Sequence, residues 1–373
     1  MKKILTCFCF TDIHNMQAML DLPTTLRKSA YVAAKNAVNE FGKADITVIG
    51  GDNISDYPYW DKSCSLPKKN FLDIKDKLTK CFAKTAYNER VMYVSGNNDM
   101  ILGDIGCAEN KPYNTTDFYF SGPMNKTLGI LPESECFTVK AIEKPEENPY
   151  LDAFHYVING IDFIGINIDP NTAFNSHEGY YTDETLNWVK NKLDEIDPDG
   201  SKPVFVVGHL SAIYYENRKW TETMVNGNPK LFYKVLSGHK NLFYLYGHMH
   251  GEGYVYKDFT SPAIVHMDKN FSPISPNFEN ENSLSYDDYD FTLVHMGGLR
   301  PFDWNENFEK DGLFGYGGLK EKTYYPQTGT AKLAQYLVFE LFEDRVVFHI
   351  RNAGNKAGYS TKDIPVPYTV YLK

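Results

Sequence analysis

Five short segments of the chain each close an apolar run with side chains that bind cations. They read Asp12-Ile13-His14, Gly51-Asp52-Asn53, Gly96-Asn97-Asn98-Asp99, Gly208-His209 and Gly247-His248-Met249-His250. Asp12, His14, Asp52, Asn97, His209, His248 and His250 together offer the oxygen and nitrogen ligands that two adjacent divalent or trivalent ions require. The mixture of imidazole and carboxylate suits manganese, iron, zinc or nickel better than calcium or magnesium. Two such ions lower the pKa of a water trapped between them and polarise phosphoryl oxygens, which is the chemistry of metal-assisted hydrolysis. One pair of ligands would mean little, but five loops in this order point to a binuclear hydrolase.

Residues so far apart in sequence meet only if the elements before them converge. Ile4 to Phe10 is a β-rich apolar run that ends at the first motif. Residues 24 to 41 repeat apolar positions with a helical period, capped by Thr24 or Thr25 and stopped by Gly42. Asp45 to Ile49 reads as a buried strand, Leu66 to Tyr87 as mostly helix, and Arg90 to Val94 as a third strand. This alternation argues a largely parallel sheet covered by helices, with ligands gathered at the carboxyl ends of its strands. Residues 100 to 152 break the rhythm with Gly, Pro, Asn and acidic residues, and read as a long insertion with short β-like pieces at Asp117 to Phe120 and Cys136 to Ala141.

The pattern then resumes. His155 to Asn159 and Ile161 to Asn167 form a hairpin across Asn159-Gly160. Thr182 to Ile196 is an amphipathic helix, Val204 to Val207 a strand, Pro229 to Ser237 a short helix and Asn241 to Tyr246 a strand. The tail alternates as strands do at Gly253 to Tyr256, Ala263 to His266, Phe291 to His295, Tyr336 to Phe342 and Arg345 to Ile350, while residues 268 to 289 read as loop. The expected fold is α/β: a four-layer α-β-β-α sandwich, two mixed sheets packed face to face with helices outside. The first three strands are placed in one sheet and the tail strands in the other. The expected organisation is one domain over residues 1–373, with the insertion at 100–152 and a C-terminal β-rich extension at 258–373.

The order of the motifs resembles that of the calcineurin-like metallophosphoesterases, over roughly residues 4 to 257. The resemblance implies that Asp12, His14 and His250 hold one ion and Asn97, His209 and His248 the other. It also implies that Asp52 bridges both and that a hydroxide between the ions is the nucleophile. The family usually has a His after the metal-binding Asn, and this chain has Asn98. An amide can donate a hydrogen bond to a phosphoryl oxygen but cannot transfer a proton at useful pH. Asn98 is therefore expected to bind the substrate phosphate, and Asp99, without the usual His partner, to bond Asn98 or a side chain behind a metal ligand. Some family members that lack this His resemble phosphodiesterases. The reading is a metal-dependent hydrolase of phosphate esters that favours phosphodiesters. Its alternatives are a phosphomonoesterase of nucleotide or phosphoprotein type, and a metal-bound scaffold with vestigial catalysis.

The rest of the sequence bounds this reading. The 373 residues suffice for a large core, and a net charge of −10 disfavours general nucleic-acid binding. A small phosphate ester remains compatible, because bound ions reverse the local field. The 27 Tyr and 24 Phe read as packing rather than a stacking cleft. Six scattered cysteines, without a CxxC pair, read as reduced thiols, with Cys7 and Cys9 buried on one face of the first strand. The start Met1-Lys2-Lys3 leads straight into the first ligand strand, and no run of 18 apolar residues occurs. The expectation is a cytoplasmic protein with no membrane span, secreted or periplasmic only if a leader has been removed. His155, His239 and His349 read as structural, His177 is a candidate substitute proton donor, and His266 and His295 are weaker candidates at the ends of tail strands. Asn53 reads as turn chemistry and Asp169 as a strand-end cap. Arg218 and Arg300 are candidates for substrate recognition.

Overall fold

From Leu5 to Phe10 the first strand, β1 (Lys3–Phe10), is buried on both faces, which requires a layer on either side of its sheet. The computed structural model describes residues 2–14, 28–53, 76–87, 90–100, 135–137, 152–169, 179–211, 214–216, 219–221, 227–248, 264–274, 289–299, 334–353 and 367–372. Two large mixed sheets form within them. The first runs β16 (Tyr368–Tyr371), β15 (Arg345–Asn352), β14 (Gln335–Phe342), β1, β2 (Ile46–Ile49), β3 (Val91–Tyr93). β1, β2 and β3 are parallel, and β14 lies antiparallel to β1.

The second sheet begins at β12 (Pro273–Ile274), β11 (Ile264–Met267), β13 (Phe291–His295) and β10 (Leu242–Tyr246). It continues through β7 (Val204–Val207), β6 (Ile161–Ile166), β5 (Ala153–Ile158) and β4 (Glu135–Phe137). Its centre, β6-β7-β10-β13, is parallel, and its margins are antiparallel. A separate hairpin joins β8 (Tyr214–Glu216) to β9 (Lys219–Thr221), in a stretch that sequence pattern did not mark.

One aromatic row locks the sheets together. Tyr156, Phe163, Phe205 and Phe243 are register partners on four neighbouring strands, and their rings stack at centroid spacings of 6.4, 5.2 and 5.3 Å. Phe339 of the first sheet stacks on Phe205 at 4.4 Å, and Phe348 meets Phe243 at 5.6 Å. Such pairs contribute about 0.5–1.5 kcal/mol each beyond the area they bury. These six aromatic side chains serve packing. Cys7 is the register partner of Phe339 and faces the same inter-sheet layer, with Cys9 beside it at 3.7 Å between sulfurs. Both thiols are free and buried, and burial pushes the Cys7 thiol up.

Helices cover the outer faces. Phe8 meets Phe41 of α1 (Lys28–Phe41), and Phe10 meets Phe82 of α2 (76–82). α1 ends where sequence placed its stop: Gly42 takes φ +77°, and its N–H bonds Val38 O at 3.0 Å. A four-residue turn, α3 (Asn97–Met100), follows β3. On the second sheet, α4 (Asp183–Ile196) is capped by Thr182, with Asp183 and Glu184 in its first turn. α5 (Pro229–Leu236) is capped by Asn228, and its Phe232 packs on Tyr244 at 4.9 Å.

Four expectations need correction. The tail strands do not share one sheet: β11, β12 and β13 extend the second, whereas β14, β15 and β16 extend the first beside β1. Alternation reports which face of a strand is buried but says nothing about its partner. The helix before β3 ends at residue 82, where the Thr85 hydroxyl bonds Phe82 O and Ala86 bridges Ala44. A Thr hydroxyl that bonds nearby backbone offers the chain this exit. Residues 268 to 289 are not all loop, because Pro273–Ile274 pairs with β11. The β-like piece expected at Cys136 to Ala141 is seen as Glu135–Phe137, on the edge of the second sheet. Asp117 to Phe120, Gly253 to Tyr256 and most of the 100–152 insertion lie outside the described residues.

Candidate metal centre

The ligand-bearing loops leave the carboxyl ends of β1, β2, β3, β7 and β10 and are stitched to one another by backbone. Asp12 N–H donates to Gly51 O at 3.0 Å, His14 N–H to Asp52 O at 2.8 Å, and Gly247 N–H to His209 O at 3.0 Å. Four candidate ligands sit in the left-handed region: Asp12 at φ 49°, His14 at 44°, Asp52 at 51° and His248 at 71°. Non-glycine residues hold such angles only where their surroundings over-determine them, and these positions concentrate at functional sites. Glycine makes the close approach possible. A Cβ on Gly96 would stand 2.0 Å from Asp52 Oδ1, and one on Gly247 would stand 2.1 Å from the Thr11 hydroxyl.

Two buried groups of potential ligand atoms result, Asp12-His14-Asp52 and Asp52-His209-His248, each with its atoms within 4.8 Å of one another. Asp52 belongs to both. Nε2 of His14 and Nε2 of His209 lie 3.3 Å from the same oxygen, Asp52 Oδ2. Asn97 completes the second group: its Oδ1 is 3.2 Å from His209 Nε2 and 3.0 Å from His248 Nδ1. His250 lies outside the described residues. Asp12 Oδ2 accepts from Thr11 Oγ1 at 2.9 Å and from His248 N at 3.0 Å, while Oδ1 lies 3.9 Å from His14 Nε2.

The donor set fits a cation. His209 Nδ1 lies 2.7 Å from Gly50 O, which can only accept, so a neutral His209 carries its proton there. Its Nε2 lone pair then faces two further acceptors, Asn97 Oδ1 and Asp52 Oδ2. A positive charge among them removes the conflict, whether it is a proton or a metal ion. Burial lowers the His209 pKa, but the Asp52 carboxylate outweighs it and pushes the ring up to about 9. Burial likewise raises Asp52, yet His209 and His14 hold it well below the usual carboxylate range.

Asp99 is buried and clamps two loops. Its Oδ1 accepts Asn53 N–H at 2.9 Å and its Oδ2 accepts Gly96 N–H at 2.8 Å. The second bond is one half of a capping box, from the third residue of α3 back to the residue before it. Asn98 lies on α3. Asp169 N–H bonds Tyr180 O at 3.2 Å.

Three of the remaining histidines pair with carboxylates. His155 pairs with Asp162, His239 with Asp197 and His349 with Glu340. His266 lies between Thr292 Oγ1 and Tyr368 OH and so joins the two sheets. His295 is buried beside Tyr246 at the end of β13, and burial lowers its pKa to about 4. His177, Arg218 and Arg300 lie outside the described residues.

Two contributors escaped the sequence reading. The Thr11 hydroxyl lies within donating reach of both Asp12 Oδ2 and Gly50 O, and its place next to a candidate ligand was a usable signal. Tyr181 accepts the N–H groups of His209 and Leu210, at 2.9 and 3.0 Å, from a position no motif marks.

No protein-family model matches the chain, and no curated protein does. Solved structures resemble it distantly. A conserved uncharacterized protein of Streptococcus pneumoniae, described as a predicted phosphoesterase, is 10% identical over 100% of this chain and 99% of its own, with a TM-score of 0.32. GAP50 of Plasmodium, the anchor in the inner membrane complex, is 12% identical over 100% and 90%, with a TM-score of 0.45. Vacuolar Protein Sorting 29 of Cryptosporidium parvum is 8% identical over 99% and 97%, with a TM-score of 0.30. Among the described residues no helix is long and apolar enough to cross a membrane.

Proposed function

We propose that the chain is a binuclear metal-dependent phosphoesterase of the calcineurin-like kind, acting on phosphodiesters in preference to monoesters. The observation that carries this is the shared carboxylate: Asp52 belongs to both candidate ligand groups, and Nε2 of His14 and of His209 each lie 3.3 Å from its Oδ2. A carboxylate has lone pairs for two cations, and a solitary structural ion would not need the second group.

In this reading Asp12, His14 and His250 hold one ion, Asn97, His209 and His248 hold the other, and Asp52 serves both. When bound, the pair would acidify a water and polarise the phosphoryl oxygens. The chain's own residues do the rest. Thr11 and the His248 amide fix the Asp12 carboxylate, and Gly50 O fixes the His209 ring with Nε2 turned inward. Asp99 holds the Asp52 and Asn97 loops together. Asn98 donates to a phosphoryl oxygen but supplies no proton to the leaving group, which disfavours poor leaving groups.

The test compares bis-p-nitrophenyl phosphate with p-nitrophenyl phosphate after loading with manganese, iron, zinc or nickel. Diester turnover should exceed monoester turnover and vanish with chelator. Asn98→His should raise monoester turnover, by up to about 10²–10⁴-fold if the imidazole reaches the leaving oxygen. A monoester preference that survives Asn98→Ala would defeat the diester assignment. A chain that binds two ions yet hydrolyses none of a broad ester panel would be a scaffold.

A further inference from the structure

His209 is held from two directions, and one of the two holders is a pair of phenols. The Tyr181 oxygen accepts N–H groups from His209 at 2.9 Å and Leu210 at 3.0 Å. It lies 3.0 Å from the Tyr244 hydroxyl, which donates to Leu210 O at 2.8 Å. The proton order follows. Tyr244 spends its hydrogen on a carbonyl, so Tyr181 must donate to Tyr244 while its own oxygen takes the two amides. Both phenols are buried, so water cannot replace either bond at no cost.

Gly208 shows how closely the pair fits. A Cβ at that position would stand 2.4 Å from the Tyr181 hydroxyl and 2.6 Å from that of Tyr244. The glycine of the Gly208-His209 motif thus admits the phenols. Tyr181 immediately precedes the capping Thr182 of α4, and Tyr244 lies on β10, the strand that leads to His248. The pair therefore ties the His209–Leu210 backbone to β10 and to the residue before the α4 cap. The Asp12 and His14 amides do not reach the phenols: they donate to Gly51 O and Asp52 O.

We propose that Tyr181 and Tyr244 are positioning residues for His209 that set the affinity of the second metal site and leave the first unaltered. The proposal rests on the binuclear reading above. Partners behind a metal ligand are typically worth about 10–100-fold in metal affinity. The test titrates Mn²⁺ into the metal-free full chain by calorimetry for wild type, Tyr181→Phe and Tyr244→Phe, with thermal unfolding of each metal-free protein alongside. Tyr181→Phe should weaken one of two sites about 10–100-fold and leave the other as in wild type. Tyr244→Phe should weaken the same site by less, because Tyr181 still accepts both amides. Two sites of wild-type affinity in Tyr181→Phe, with only a lowered Tm, would overturn the proposal. If Tyr181→Phe does not fold, two wild-type sites in Tyr244→Phe would overturn it. Fewer than two ions bound by wild type would instead remove the binuclear reading.

Discussion

Nε2 of His209 lies 3.2 Å from Oδ1 of Asn97, and with the ring neutral neither atom has a proton to offer the other. The contact makes sense when a cation stands between its members. In the metal-free protein that cation is a proton, since the ring is pushed up to about 9 from an ordinary value of 6.5. The proton stabilises the metal-free fold; that stabilisation is complete below pH 6.5 and is lost as pH rises through about 9. A metal ion must displace it. Apparent Mn²⁺ affinity should therefore fall roughly tenfold per unit as pH drops below about 9, with proton release on binding. Calorimetry at pH 7.5 in two buffers of different ionisation enthalpy reads that release directly. Equal heats in both buffers would contradict it.

Asp99 predicts a loss that is structural before it is chemical. Asp99→Ala leaves the Asn53 and Gly96 amides without their acceptor, at about 1–3 kcal/mol each. Asp99→Asn keeps one acceptor oxygen and should cost about half as much. Urea denaturation measures the cost. Activity per bound metal ion should stay near wild type in Asp99→Asn; a large fall at full metal occupancy would mean that Asp99 acts on the substrate.

How much of this was legible in the sequence depends on which interactions are local. The strands that carry the candidate loops could be read because β1, β2, β3, β7 and β10 are short apolar runs, each ending in a polar motif. The Asn159-Gly160 turn could be read because its geometry needs two positive φ values, here 53° and 79°, and that dipeptide tolerates them. The placement of β14 beside β1 could not, since Cys7 and Phe339 meet across most of the chain. Tyr181 reaches His209 through folding alone, and a single tyrosine before a helix cap carries no periodic signal. Asp99 was visible as a motif residue, but its backbone partners depend on how two loops cross.

His266 predicts acid sensitivity away from the metal centre. Burial lowers its pKa to about 3, so between pH 6.5 and 3 the unfolded chain takes up a proton that the folded chain refuses. Stability should fall on acidification through that window, by on the order of 1.4 kcal/mol per pH unit for this group. His266→Gln can still bond Thr292 and Tyr368 but cannot titrate, so its stability curve should be flatter over the same range. His295, lowered to about 4, adds a similar slope that this substitution leaves in place. Thermal unfolding from pH 7 to 4 checks it; parallel curves for wild type and His266→Gln would refute it.

The shared carboxylate is tested most directly by electron paramagnetic resonance of the chain loaded with Mn²⁺. Wild type should bind two ions and show the spectrum of an exchange-coupled pair, and Asp52→Ala should lose that coupling together with hydrolysis. Two magnetically isolated ions in wild type, or a coupled pair that survives in Asp52→Ala, would contradict the account.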